Sequence, residues 1–396
     1  MGNSLENIYK FTITVGSQQI GLNLKSVNLS VSDSIYELAP RVILTTADSS
    51  GISFESRLNI LGQEIAFTVN TGEMEVSYPL TCTLYETPEV NSSNGLSGTL
   101  KIEFRHAAKF SGKEATGYSS QSPADIFKTL VSQMNNDFNS FSNGSVKAPV
   151  VNIDKTSGCS TYPLILNPGY ETDRFLNEVL LPLANDGSTA TSPFYAYINI
   201  ENCANFESLK DMLQKSPCRK IVFGQALSAD TGDVMALTLY NFSQDYGKVS
   251  SFIDQSFTYL DKKHEVHSED ISLNKIVTPL ALMKNSTRTN LVYPENTYET
   301  IDETKESGVE MFGHRKGLLL DKLLVTTFLD PTMCAGKTVD LNIYLNIPGI
   351  EKSNNYSGKY LIESSEHIWN ARSLMGYTRL VLGRMSMQIK GKEMKQ

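Results

Sequence analysis

Histidines, cysteines and clustered carboxylates are where chemistry would begin in this chain, so they are weighed first. The segment "HEVH" sets His264 three residues before His267, which approaches metal-ligand spacing but lacks the HExxH arrangement that turns two imidazoles to one helical face. Beside Lys262 and Lys263 it reads as a solvated charged loop. His106, His314 and His367 show no neighbouring Cys–His or Ser–His grouping, and no GxSxG elbow occurs. Cys82, Cys159, Cys203, Cys218 and Cys334 are odd in number and scattered, with no CxxC pair, so buried free thiols in a reducing compartment are expected. Glu295, Glu299, Asp302, Glu303, Glu306 and Glu310 offer the carboxylates that glycoside cleavage uses, yet in one run they read as a solvated or subunit-facing surface. No phosphate-cradling glycine loop is present, "GHRKG" being too short. The expectation is no catalytic residue, no metal and no cofactor.

The elements that carry these residues read as mostly β. "YKFTITV", "LKSVNLSVS", "EIAFTVN", "LTCTLYE" and "GTLKIEFR" alternate polar and apolar residues between turn clusters such as "NSSNGLSG". Residues 7–112 therefore predict a barrel or sandwich. The pattern then changes. "SPADIFKTLVSQM" has Ser122 as N-cap, Pro123 at the first helical position and Ile126, Phe127, Leu130, Val131 and Met134 on one face. "TDRFLNEVLLPLA" predicts a second helix capped by Thr172, with a stripe of Phe175, Leu176, Val179, Leu180 and Leu183, and Pro182 kinking or closing its last turn. A strand "FYAYINI" and a short helix "NFESLKDMLQ" complete an α/β module over 113–218. Strand character returns at "KIVFG" and "VMALTLYNFS", a mixed stretch covers 248–311, and "HRKGLLLDKL" predicts a short helix. Four strand-like segments follow: "LLVTTFL", "KTVDLNIYL", "KYLIESSEHI" and "YTRLVLGRM".

The stretch "SGKYLIESSEHIW" combines two characters. It starts apolar at Tyr360, Leu361 and Ile362, turns polar through Glu366 and His367, and ends on Trp369, the single tryptophan of 396 residues. Length predicts two or three domains. A net charge of −8 argues against gripping nucleic acid by phosphate neutralisation. No signal peptide is visible, Glu6 stands where a myristoylation site needs Ser or Thr, and even "LLLDKLLVTTFL" is too short and too broken by Asp321 and Lys322 to span a membrane. No membrane insertion is expected, and the sequons at Asn28, Asn91, Asn241 and Asn285 are read as chance.

The closing strands echo the first region. "GQEIAFTV" places Ile65, Phe67 and Val69 in phase after Gly62, as "GKTVDLNI" places Val339, Leu341 and Ile343 after Gly336. "GTLKIEF" places Leu100, Ile102 and Phe104 after Gly98, as "GYTRLVL" places Thr378, Leu380 and Leu382 after Gly376. "LTCTLYE" and "KYLIESSEH" lie between, so three matches occur in order and predict duplicated β domains.

With these residues the chain resembles the central baseplate hub protein of contractile-tailed bacteriophages, related to the base of type VI secretion spike proteins. The resemblance spans nearly the whole chain, through "SIYELAPRVILTTADSSG", the two helices, "ENCANFESLKDMLQKSPCRKIVFG", "DPTMCAGKTVDLNIY", and the Tyr-Leu-Ile strand followed by "YTRLVLGRM" with Arg384. A short helix after His314 departs from it. The resemblance implies an α+β, mainly β fold: a first tube β-barrel domain over 1–112, the α/β module over 113–218, a discontinuous second tube barrel over 219–247 and 312–390, an inserted mixed domain over 248–311 and a tail at 391–396. Ile65, Phe67, Val69, Leu100, Ile102, Phe104, Val339, Leu341, Ile343, Tyr360, Ile362, Leu380 and Leu382 would be barrel core. The polar continuation of the Tyr360 strand would meet the channel or a neighbouring subunit, with His367 and Trp369 as architecture.

The implied role is structural and non-enzymatic. It is a homotrimeric, pseudo-sixfold hollow ring in the virion tail baseplate, made in the host cytoplasm. Its implied partners are a central spike protein, a tail tube or tube-initiator protein, and in addition a tape measure protein and a baseplate wedge, with DNA passing through the lumen without specific binding. Three rival readings are a tail-associated cell-wall hydrolase, a receptor-binding tail protein, for which no repetitive shaft is seen, and the spike base of a secretion or injection system, which would continue into a β-helical needle.

Overall fold

The computed structural model of the chain describes residues 12–15, 18–21, 27–48, 64–70, 75–86, 98–106, 115–141, 152–185, 192–225, 233–241, 254–260, 266–272, 287–293, 321–347, 350–352, 356–370 and 375–384. The first region holds β1 (Thr12–Val15), β2 (Gln18–Gly21), β3 (Val27–Ser34), β4 (Arg41–Asp48), β5 (Glu64–Asn70), β6 (Glu75–Glu86) and β7 (Gly98–His106). Then come β8 (Thr116–Gln121), helix α1 (Pro123–Phe141), β9 (Asn152–Thr156), β10 (Tyr162–Asn167), helix α2 starting at Thr172–Phe175, β11 (Phe194–Ile198), β12 (Cys203–Ser208) and helix α3 (Leu209–Gln214). They are followed by β13 (Pro217–Phe223), β14 (Val234–Asn241), β15 (Asp254–Leu260), β16 (Val266–Ser272) and β17 (Thr287–Tyr293). The last strands are β18 (Asp321–Phe328), β19 (Thr338–Ile347), β20 (Ile350–Lys352), β21 (Gly358–Asn370) and β22 (Met375–Arg384). For β1, β2, β5, β6 and β15 to β17 the description is of the backbone.

Six strands close into a barrel in the order β21-β22-β18-β14-β13-β19, with β19 returning to β21. Alternation decides its interior. Val339, Leu341 and Ile343 of β19, Tyr360 and Ile362 of β21, and Leu380 and Leu382 of β22 pack with Leu323, Val325 and Ile221 into one buried cluster. A barrel this small is filled by side chains, so it is a core and not a pore.

The first region is an antiparallel sheet in the order β2-β1-β5-β6-β7-β4-β3, and the outer edge of β3 continues onto β21. Five of its strands repeat the barrel's plan. The neighbours β5-β6-β7-β4-β3 match β19-β21-β22-β18-β14 in sheet order, in chain order and in antiparallel direction throughout. The registers coincide as well. Ile65 faces Leu80 as Val339 faces Tyr360, and Phe104 faces Cys82 as Leu382 faces Ile362. Val42 faces Phe104 as Leu323 faces Leu382, and Leu29 faces Leu44 as Leu239 faces Val325. Both sheets carry a bulge at the same place, between Cys82 and Leu84 in β6 and between Ile362 and Ser364 in β21. A slip of one residue would reverse the side-chain faces, so a shared register with a shared bulge is a specific match.

The sheets differ in how they end. The barrel is completed by β13, parallel to both β19 and β14. In the first region β1 runs antiparallel beside β5, and the sheet is open among the described residues. Gly98 and Gly376 occupy matching strands, while Gly62 lies outside the described residues. The backbones of Ile65, Phe67 and Val69 lie in β5 and those of Leu100, Ile102 and Phe104 in β7, the latter opposite Thr46, Leu44 and Val42; their side chains lie outside the described residues.

The α/β module packs α1 and α2 against a β11-β12-β9 sheet and the antiparallel pair of β8 and β10. Ser122 caps α1: its Oγ accepts from the Asp125 N–H at 3.2 Å and donates to the Asp125 carboxylate at 2.7 Å. Ile126, Phe127, Leu130, Val131 and Met134 are buried. Helix α2 differs from expectation at its start. Glu171, and not Thr172, is its N-cap, and Thr172 is a buried first residue. It continues through a widened π segment, Leu176–Leu180, into Leu181–Leu183; this accommodates Pro182, which has no N–H to return to the preceding turn.

Two other expected helices are corrected. In "NFESLKDMLQ" the first four residues belong to β12, paired along Phe194–Ile198, and the helix begins only after its Ser208 cap. In "HRKGLLLDKL", Asp321 to Leu323 begin β18 because β22 and β14 flank them, and the remainder lies outside the described residues. β16, β15 and β17 form a separate small sheet. His264, His314 and the acidic run at 295–310 lie outside the described residues.

Candidate functional site

The 13-residue strand β21 changes partner half-way along. Gly358–Leu361 pair with β19, Ser364–Asn370 pair with β3, and β22 runs along the other edge from Leu361 to Asn370. This resolves the two characters of "SGKYLIESSEHIW". Tyr360 and Ile362 point into the barrel, while Leu361 points outward into a third cluster with Ile35, Tyr195, Tyr197, Leu209, Met212 and Ala335. The polar half, expected from the resemblance to meet the channel or a neighbouring subunit, is paired along one edge with β3 of the same chain. It forms a seam inside the chain, where Ser365, His367 and Trp369 are buried against β3.

Asp33 is the centre of that seam. It is 4% exposed, and its carboxylate accepts the Ser365 hydroxyl at 2.6 Å, the Ile200 N–H at 2.9 Å and the Ala335 N–H at 3.2 Å. Those donors come from β21, from the turn after β11 and from the turn before β19, so one carboxylate ties three segments to β3. Ser365 Oγ is also 3.1 Å from His367 Nε2, and His367 Nδ1 is 3.0 Å from Thr378 Oγ1, which accepts the Asp330 N–H at 2.9 Å. Ser365 Oγ, whose proton goes to Asp33, and Thr378 Oγ1, which also lies 3.4 Å from the Asp330 carbonyl, thus engage both ring nitrogens of His367. Burial raises the Asp33 carboxyl to about 6, the hydrogen bond from Ser365 opposing it, and burial lowers His367 to about 4 against the pull of Asp330.

Ionic ties flank the seam. Glu363, the bulged residue of β21, is 1% exposed; its Oε2 holds Lys322 Nζ at 2.6 Å and accepts the Tyr36 hydroxyl at 2.8 Å. Its other oxygen, Oε1, has no hydrogen-bond partner among the described residues, and a Cβ on Gly383 would land 1.9 Å from it. Gly383 is therefore a space requirement. Lys215 pairs with Glu207 at 2.6 Å and donates to the Gly336 carbonyl at 3.1 Å, while Arg219 pairs with Asp330 at 2.8 Å. Lys337 pairs with Glu201. Gly336 takes φ +79°, and a Cβ there would strike the Tyr197 hydroxyl at 1.7 Å, which is why a glycine opens β19.

A Ser–His grouping does exist, contrary to the reading from sequence, because Ser365 and His367 share one strand face. It is not a nucleophile–base pair. The carboxylate holds the serine and not the imidazole, both ring nitrogens are engaged, and all three groups are buried. Asp33, Ser365 and Glu363 were missed. Parity was the available signal: Asp33 shares its phase with the buried Leu29 and Val31, and Ser365 shares its phase with His367 and Trp369. Cysteines 159, 203, 218 and 334 are free, and only Cys334 is buried. Among the described residues no cluster of His, Cys, Asp or Glu suits a metal, and no helix is long and apolar enough to cross a membrane.

Solved structures share this architecture. A tail protein from Neisseria meningitidis superposes with a TM-score of 0.58 at 9% identity, covering 95% of this chain and 96% of its own. A 43 kDa tail protein of the Shewanella oneidensis prophage MuSo2 gives 0.58 at 11% identity, covering 94% and 97%. The chain has the fold of phage tail proteins. An Escherichia coli component of the type VI secretion system, itself described as structurally similar to T4 tail proteins, gives 0.50 at 8% identity over 93% of this chain and 76% of its own. No family model and no curated protein matches the chain by sequence.

Proposed function

We propose that the chain is the structural hub of a phage tail baseplate. The observation that carries this is the closed barrel joined edge to edge to a sheet of the same plan, in a fold shared end to end with tail proteins. In this reading residues 1–112 form one tube unit and 219–247 with 312–390 the other, while 113–218 and 248–311 are outboard insertions and 391–396 a tail. Three copies then present six similar units around one axis, which lets a threefold central spike sit on one side and a sixfold tail tube or its initiator on the other. The tape measure protein and baseplate wedge would meet the same assembly. DNA crosses the space between the units, because the barrel itself is filled, and a net charge of −8 per chain favours passage without gripping. The function is non-enzymatic.

Particle images of the purified chain, alone and with its spike, test this: a threefold ring with a central hole is expected, and monomers in both samples reject it. A turbidity assay on cell walls should show no lysis. The likeness to the Escherichia coli secretion component supports a second reading, the spike base of an injection system. Antibody labelling of virion tail tips separates the two, and label is expected there.

A further inference from the structure

The two halves carry the same chemistry at one end of their matched strands and different chemistry at the other. β18 matches β4 and β22 matches β7, since Leu323 faces Leu382 as Val42 faces Phe104. At the start of β18 and β4 the halves agree. Lys322 holds the position of Arg41, and each cation is tied to a buried glutamate at 2.6 Å, Glu363 and Glu103 respectively. At the far end they differ. Phe328 stands opposite Tyr377, where the first sheet sets Ala47 opposite Thr99.

That end of the second unit is an apolar patch turned away from the barrel interior. Leu323, Val325 and Thr327 are buried, so alternation along β18 sends Phe328 to the opposite face, where it is 45% exposed. Met375 is 44% exposed, and the half-buried Tyr377 donates its hydroxyl to Met375 Sδ at 3.4 Å. Ile368 of β21 lies on the other side of Tyr377. The patch is held in place from beneath. The Leu329 N–H donates to the Gly376 carbonyl at 3.1 Å, and Leu329 packs so closely that a Cβ on Gly376 would lie 2.4 Å from it. The strand plan does not require large apolar residues here, because the first sheet is built with Ala47 and Thr99 at the same positions.

We propose that the patch of Phe328, Tyr377 and Met375 seats the central spike protein. The inference rests on the ring reading and names the end of the ring that the spike meets. Three chains give six equivalent positions around the axis, and only three of them, one per chain, carry the aromatic pair. The array is therefore threefold and suits a threefold partner with an apolar contact on each subunit, whereas the Arg41 and Lys322 positions recur six times. Size points the same way. The three side chains of one patch expose roughly 200 Å². Two such patches meeting between two copies would bury only about 400 Å², on the scale of a fortuitous contact. A trimeric spike covering all three patches would bury about 1,200 Å² with its own surface counted, the lower bound of a specific interface.

The test is co-sedimentation of the full chain with the purified trimeric spike protein of the same phage, with particle images and circular dichroism to follow ring and fold. Phe328→Ala with Tyr377→Thr gives the second unit the residues of the first. Fold and ring should persist, and spike affinity should fall about tenfold or more. Leu164→Thr with Leu166→Thr removes leucines that are 55% and 60% exposed on β10, outside the matched strands, and should leave spike binding unchanged. Independently, a photoreactive benzoylphenylalanine in place of Phe328 should crosslink to the spike in assembled tails. Full spike binding by the first variant, an equal loss in the second, a lost ring in the first alone, or crosslinks only to another copy or to the tube overturns this seat. Absence of rings from the unmodified chain, alone and with the spike, overturns the ring reading itself, and this inference with it.

Discussion

The open sheet and the closed barrel are the same five-stranded plan completed in two ways. Both keep one chain order, one set of registers and one bulge, and they part only at the sixth position. In the barrel that position is filled by β13, delivered by the α/β module immediately after α3. In the first region β3 instead pairs outward with β21. The plan is thus tolerant about what completes it: the strand that closes the barrel, β13, follows directly after α3 and has no counterpart among the described residues of the first sheet.

The largest test of this comparison is a charge on matching core positions. Leu380 is fully buried in the barrel, and Ile102 holds the same register slot opposite the buried Leu44. Aspartate at either site should cost about 4 kcal/mol or more and unfold its own region, read by circular dichroism and limited proteolysis. If Ile102→Asp leaves the first sheet protected, the two sheets do not share a core face. Next in size is Asp33→Ala, which strands the Ser365 hydroxyl and two backbone N–H groups. A loss of about 3 kcal/mol is expected, with calorimetry resolving the two regions into separate transitions.

The seam also has a pH signature made of opposing parts. Folding raises the Asp33 pKa from 3.8 to about 6, so the folded state takes up a proton and this contribution to stability increases as pH falls through that window. His367 goes from 6.5 to about 4, so the folded state resists protonation and its contribution is lost as pH falls from 6.5 to 4. The two nearly cancel in the intact chain. Asp33→Asn should therefore lose stability on acidification and His367→Gln should gain it, each by about 2–3 kcal/mol across the window in denaturant titrations; parallel profiles for the two variants would refute the opposition.

The smallest effect concerns the bulge, where Gly383 beside Glu363 corresponds to Arg105 beside Thr83 in the first sheet. Gly383→Ala should cost about 1–2 kcal/mol by displacing the Glu363 carboxylate, and Glu363→Thr should recover part of that loss in the double variant.

Sequence pattern made the barrel interior readable because Val339, Leu341 and Ile343, and likewise Leu380 and Leu382, alternate on strands with one apolar face. The seam was harder. Lys322 lies in a strand beside Gly383 of β22, and its charge meets Glu363, 41 residues away, a pairing that no local pattern carries. The strand at "NFES" reads as helix until β11 is known to lie beside it. Asp33 offered only its parity, since a lone polar residue in an alternating strand looks the same whether it turns to water or to three converging donors.

The shared strand β21 also dictates when the molecule is finished. Asp33 and Ser365 are 332 positions apart, and the same β21–β22 hairpin both shuts the barrel and covers the edge of β3. During synthesis the first sheet must wait with that edge bare until nearly all of this sequence has emerged, long after its own strands are made. Such distant pairings are slow to find, and an uncovered edge is exposed to misassociation meanwhile. Interrupting translation before β21 should therefore yield an N-terminal fragment dependent on chaperones, with neither half of the architecture complete.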